Sequence, residues 1–474
     1  MKNLSEIISS VAVFVLLTIT SCYSGAQNHS TKSLEGIWLG KVEIPNAAVL
    51  RMGIIVNSDG SAALNIIDQA TGNIPIDEVL YKGDTVSFKL NRLGITIKGN
   101  ISAEKDSIWS RFKQRGGDFT FNLGLVDELP RLKRPQTPKA PFVYTSDEVE
   151  FENKEAGIKL QGTLTIPKSS GKVPAVVLLS GSGKQGRDMD ISGHKHFWVI
   201  ADYLTNKGIA VLRMDDRGVG GSTGDFNTST TGDFATDALA AVDYLKKREE
   251  IDANQIGLIG HSEGGATAVI AASQSNNVKF MVSLSGGIVN FGDIHIQQIA
   301  DRLASQNVPA ENIELEKQWR KKLNEIVREP TDSLVAAEKM WNAYNELSEE
   351  DIKTMNWPKG RMTHMVTQLL SPWWRYSISL NVLALYENLD CPALLLFGEK
   401  DVQVTARDNM PLIEEVVKNS KKTNITVQLI KDANHLYQKA DTGSEYEYVQ
   451  IEETISPEVL KILSEWILSS REQL

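Results

Sequence analysis

Little in this chain is built for cross-linking, metal binding or nucleic acid. Cysteine occurs twice, at Cys22 and Cys391, too few for a disulfide framework. No CxxC or HxxxH spacing is present, so neither a metal nor another cofactor is expected. Cationic charge is in deficit: 50 Lys and Arg against 60 Asp and Glu leave a formal net charge of −10. Phosphate backbones are bound by clustered cations, so nucleic acid is excluded as a partner. What is present in quantity is ordinary globular material, 41% hydrophobic and 23% charged residues, enough to build a sizeable core.

The only membrane-related signal is at the start. Ile7–Ile19 is an apolar run behind Lys2, long enough for a signal segment and too short to span about 30 Å of hydrocarbon. Ile19-Thr20-Ser21-Cys22 resembles a bacterial lipobox, which would put a lipid on Cys22; Ser24-Gly25-Ala26 resembles an ordinary cleavage site. Residues 1–26 are therefore read as a signal or lipoprotein segment. The expectation is an exported protein, periplasmic or lipid-anchored, touching membrane only through that anchor.

Residues 30–128 read as a small β-rich domain. GIWLGKVEI, VLRMGIIV, SAALNIID, DTVSFKLN, GITIKGN and DFTFNLG are short, often alternating, and bounded by turn formers, the pattern of an antiparallel sheet or barrel. Residues 129–142 hold Pro130, Pro135, Pro138 and Pro141 and read as a stiff linker. From 143 to 474 the rhythm becomes strand–helix. VPAVVLLSG, GIAVLRMDD, QIGLIG, FMVSLSG and PALLLFG are nearly continuous apolar runs, as strands of a parallel sheet covered on both faces must be. Between about 288 and 388 the strand rhythm stops. That helical stretch, rich in tryptophan, reads as a cap, with Trp373 and Trp374 as candidate substrate-binding walls.

Gly260-His261-Ser262-Glu263-Gly264 carries the chemistry. A strand runs in and a helix with small first-turn residues runs out, the setting of a nucleophile on a strained turn. A serine needs a base. His435 is the one of the seven histidines that leaves room after Ser262 for a strand and an acid, in the order Ser, acid, His. Asp401 and Glu399 both follow the preceding strand run; Asp401 is better placed, since the loop must turn before a side chain can reach the imidazole. The N–H groups of Glu263 and Ser182, in the Ser180-Gly181-Ser182-Gly183 loop, are candidate oxyanion donors. His261 is expected to point away from Ser262. Asp215-Asp216-Arg217-Gly218-Val219-Gly220 lacks a P-loop lysine and reads as a loop shaped by an Asp–Arg ion pair.

The blocks LLSGSGKQGRD, DDRGVGGSTG, GLIGHSEGG, LFGEKDVQV and NHLYQ resemble bacterial α/β-hydrolase esterases of the dienelactone-hydrolase and prolyl-oligopeptidase-like superfamily. The resemblance implies an α/β-hydrolase fold with a helical cap, a preceding accessory β-domain, and cleavage of short acyl esters by Ser262, Asp401 and His435. Dienelactone hydrolases themselves use cysteine where this chain has Ser262. A serine peptidase, an acyltransferase, or a binding protein with an idle hydrolase domain are the rival readings.

Overall fold

The computed structural model describes residues 34–44, 48–69, 71–114, 116–329, 331–420 and 424–469. Cys22 and the targeting segment lie outside them. The chain divides into two compact units, Met1–Lys133 and Arg134–Leu474.

The first unit is antiparallel throughout. Its strands are β1 (Gly36–Ile44), β2 (Ala48–Val56), β3 (Ala62–Ile66), β4 (Thr71–Pro75), β5 (Glu78–Lys82), β6 (Thr85–Leu90), β7 (Ile95–Ile101), β8 (Ser107–Gln114), β9 (Gly117–Thr120) and β10 (Leu123–Val126). They form one sheet in the order β4-β3-β2-β1-β10-β8-β7-β6-β5, with β9 beside β8. The two outermost strands are joined by only two residues. Ile76 N–H donates to Ala62 and Asp77 N–H to Lys89, so the link itself draws the edges together and the sheet curls. Alternate residues such as Val86, Phe88 and Leu90 face one shared core with Trp38 and Phe121.

The second unit is the α/β-hydrolase fold. Its strands are β11 (Thr145–Asn153), β12 (Ile158–Ile166), β13 (Val173–Leu179), a small hairpin of β14 (Asp190–Ile191) and β15 (His194–Lys195), β16 (Ala210–Met214), β17 (Ile251–His261), β18 (Phe280–Leu284), β19 (Ala393–Gly398) and β20 (Ile425–Ile430). The main sheet runs β11-β12-β16-β13-β17-β18-β19-β20. From β16 onward every pairing is parallel; β12 alone runs against its neighbours. All seven residues of β13 are buried, and they divide by parity. Val177 and Leu179 pack with α2 (Thr231–Leu245) and α3 (Glu263–Gln274). Val176 and Leu178 pack with α1 (His196–Asn206) and α12 (Pro457–Ser469) on the other face. That two-sided burial explains why its sequence shows no alternation.

Between β18 and β19 the chain leaves the sheet as seven helices: α4 (Phe291–Ser305), α5 (Ala310–Arg328), α6 (Ser333–Asn345), α7 (Glu349–Thr354), α8 (Lys359–Leu369), α9 (Pro372–Ser379) and α10 (Val382–Glu387). Helix α11 (Ala406–Ser420) follows β19. The cap has its own core of Trp319, Leu323, Met340, Trp357, Met362 and Trp374. A buried Glu316 is satisfied from three sides, by Arg320 (2.8 Å), Arg361 (3.0 Å) and Trp357 Nε1 (2.6 Å). No helix among the described residues is long and apolar enough to cross a membrane.

The proline-rich stretch behaves differently on its two sides. From Arg134 it belongs to the second unit. The Arg134 guanidinium donates to the carbonyls of Ser192, Val449 and Ile451. The Gln136 amide joins Thr454 and Ile455. Arg134 and Gln136 are thus held to the second unit and are not free linker.

Candidate active site

Strand β17 ends at His261 and α3 begins at Glu263, leaving Ser262 alone on the turn with φ 55° and ψ −120°. That backbone conformation costs about 1–3 kcal/mol for a residue with a side chain. It persists because its surroundings admit nothing else. A Cβ on Gly260 would lie 1.9 Å from the Gly264 carbonyl oxygen, and one on Gly264 2.2 Å from that of Leu179. Ser262 N–H is bonded to Leu284 of β18 at 2.8 Å. The N–H of Glu263 opens a helix, where first-turn N–H groups lack an intrahelical acceptor.

His435 arrives on the loop after β20. Asn434 shapes this loop, its side-chain oxygen accepting from the N–H groups of Leu436 and Gln438. The Tyr437 hydroxyl anchors it to Leu396 of β19 at 2.6 Å. His435 Nδ1–H donates to Asp401 Oδ2 at 2.7 Å, both side chains being buried. Asp401 Oδ1 accepts from the N–H groups of Gln403 (2.8 Å) and Val404 (2.9 Å), so its orientation is set by backbone. Glu399, the other acid considered, turns elsewhere and accepts from Asp432 N–H.

His261 has a role that the sequence did not reveal. Its Nε2–H donates to the main-chain oxygen of His435 at 2.9 Å, and the two rings lie 4.7 Å apart. The residue before Ser262 thus ties the His435 loop to the Ser262 turn. Burial drives the His261 pKa down to about 3, so this imidazole is neutral near neutral pH and can keep one ring nitrogen as donor.

The loop after β13 passes against Ser262: a Cβ on Gly181 would lie 3.1 Å from Ser262 Cβ. Asp216 shapes it, accepting from Ser180 Oγ (2.6 Å) and Gln185 N–H (2.8 Å). The ion pairs of the DDRG run form with partners outside it. Asp215 pairs with Arg187 at 2.7 Å, and Arg217 with Asp237 of α2 at 2.7 Å. Burial, with the nearby Glu263 charge adding to it, raises the Asp216 pKa to about 7. A raised carboxyl stabilises the fold fully below its unfolded pKa and loses that contribution as pH climbs through the folded value. An Asp216→Asn protein, which cannot titrate there, should therefore gain in melting temperature relative to wild type between about pH 4 and about pH 7. Thermal denaturation at both values checks this; parallel behaviour of the two proteins would contradict it.

The two cap tryptophans separate. Pro372 occupies the first turn of α9 and Ser371 caps it, and successive helical residues point about 100° apart. Trp373 Nε1–H donates to Oε1 of Glu263, the residue after Ser262, at 2.6 Å. Trp374 is 1% exposed and turns into the cap core, bonded to Asn324. Only the first reaches the nucleophile turn. Among the described residues no group of three His, Cys, Asp or Glu side chains could hold a metal ion.

The model of the X-Pro dipeptidyl-peptidase (S15) family matches residues 156–437, a span that holds Ser262, Asp401 and His435. The chain is 26% identical over 383 residues to esterase EstD of Thermotoga maritima, covering 73% of this chain and 83% of that protein. It is 30% identical over 178 residues to dipeptidyl aminopeptidase BIII of Pseudoxanthomonas mexicana, covering 35% of this chain and 23% of that one. Among solved structures, the α/β hydrolase GrgF from Penicillium sp. sh18 has a TM-score of 0.42 at 20% identity, covering 69% of this chain and 98% of its own. A strained serine between strand and helix, on a sheet of this order and inside a family match of this length, makes the chain a serine hydrolase that belongs to the X-Pro dipeptidyl-peptidase (S15) family.

Proposed function

We propose that the protein is a carboxylesterase acting on short acyl esters, with Ser262 as nucleophile, His435 as general base and Asp401 as its orienting acid. The observation that carries this reading is the 2.7 Å bond from His435 Nδ1–H to Asp401, which leaves Nε2 as the free acceptor of a neutral imidazole. His435 takes the proton of Ser262 as Oγ attacks the ester carbonyl. The N–H groups of Glu263 and Ser182 hold the oxyanion, each such donor contributing about 3 kcal/mol. Collapse expels the alcohol with the proton from His435. Water, deprotonated by the same base, then releases the acid from the acyl-enzyme.

The family match and the dipeptidyl aminopeptidase relative favour a second reading, a peptidase that removes X-Pro dipeptides. The same side chains would serve, but an amide demands a site for the peptide amine. A panel of p-nitrophenyl esters and X-Pro anilides at equal enzyme concentration decides. Ester turnover with no anilide turnover is expected, and kcat/KM higher for the anilides would replace the esterase reading. A fluorophosphonate probe should label Ser262, and an unlabelled protein would reject both.

A further inference from the structure

The Glu263 side chain has no part in the mechanism above, which uses only its N–H. It gathers donors from the cap and from α2. Trp373 Nε1 on the cap donates to Oε1 at 2.6 Å. Thr231 Oγ1, at the first residue of α2, donates to the same oxygen at 2.7 Å. Each donor is itself placed by local structure. Thr231 starts a helix with a Thr230–Asp233 capping box, and Trp373 lies in the first turn of one capped by Ser371.

Such a group is expensive to bury. Removal from water penalises its charged form and raises its pKa. A residue here that only filled space would not need two donors, and an alanine or leucine would serve. The geometry instead makes this carboxyl the tie between the cap and the nucleophile turn. The ring of Trp373 packs edge-on against Phe291 at 4.8 Å, where the cap leaves the sheet. With its N–H edge tied to Glu263 and its ring against Phe291, the indole is held at two points, one of them on the residue that follows Ser262.

We propose that Glu263 is a positioning residue that latches the cap to the nucleophile turn through Trp373 and so limits the length of acyl group the site accepts. This rests on the serine esterase reading. Releasing the latch lets the indole swing back and opens room beyond the ester carbonyl. Glu263→Ala removes the acceptor. Trp373→Phe keeps an aromatic wall but removes the donor. Glu263→Gln keeps a carbonyl oxygen able to accept from Trp373 and Thr231.

The test is kcat/KM for p-nitrophenyl acetate and p-nitrophenyl octanoate in wild type, the three single variants, and the Glu263→Ala/Trp373→Phe pair. Glu263→Ala and Trp373→Phe should each shift selectivity toward octanoate by about tenfold, mainly through KM, since pocket contacts of a few methylenes act at that scale. The pair should shift it no more than about twofold beyond either single change, as expected for residues acting through one contact. Glu263→Gln should stay near the wild-type ratio. Effects that multiply in the pair, or single variants whose ratio does not move, would overturn the latch. If Glu263→Ala does not fold, Trp373→Phe against Glu263→Gln still decides. Fluorophosphonate labelling of every variant keeps the two claims apart: labelled proteins with an unmoved ratio sink the latch alone, whereas unlabelled wild type removes the esterase reading and the latch with it.

Discussion

An alanine at position 262 should lower kcat for p-nitrophenyl acetate by roughly 10⁴- to 10⁶-fold while KM changes by no more than about threefold. The loss is large because Ser262 Oγ is the only atom proposed to form the acyl-enzyme. Without it, His435 and Asp401 have no proton to move, and their contributions vanish together rather than adding. The small change in KM follows because the turn itself does not depend on the hydroxyl. Its φ of 55° is enforced by the closeness of Gly260 and Gly264 to neighbouring carbonyls and by the bond to Leu284. Residual activity above the uncatalysed rate would come from the oxyanion donors. Steady-state kinetics on the purified variant check this, and a wild-type rate would reject the nucleophile assignment.

Asp401→Asn should lower kcat by about 10⁴-fold without unfolding the protein. The fold survives because the amide oxygen can still accept from Gln403 and Val404, the two backbone donors that Asp401 Oδ1 serves. The chemistry does not survive, because the remaining –NH₂ group would donate to His435 Nδ1. That puts the imidazole proton on Nε2, where a free lone pair is needed. Circular dichroism like that of wild type, with ester turnover reduced by this amount, is the expected pair of results. The neighbouring acid is the contrast. Glu399, whose side chain accepts from Asp432 N–H, should leave kcat within about threefold when changed to Gln. If Glu399→Gln proves the damaging change, the acid has been misassigned.

How much of this could be read from the letters depends on where each constraint resides. The strained turn at Ser262 was legible because its requirements are local: strand, glycine, serine, glycine, helix, all within a dozen residues. The parallel strands were legible because burial on both faces removes polar residues from runs such as VPAVVLL. Strands β4 and β11 were harder. TGNIP places glycine and proline in a strand and resembles a turn, and TSDEVEFEN is acidic because it lies at the sheet edge. The bond from His261 to His435 spans 174 positions. The tie between Glu263 and Trp373 spans 110. Nothing near either residue announces its partner, since the contact exists only once the cap and the loop after β20 have returned to the same turn. The different partners of Trp373 and Trp374 were hidden for a simpler reason: they depend on where α9 starts and on which side of that helix meets the sheet.

The bonds of Arg134 and Gln136 bear on how the hydrolase unit can be excised. Both side chains grip residues 449–455, the stretch that delivers the chain into the final helix. A cut made after the last proline, where composition alone invites it, would strip two clamps from a region more than three hundred positions away. A cut between 133 and 134 leaves them with the half they hold together.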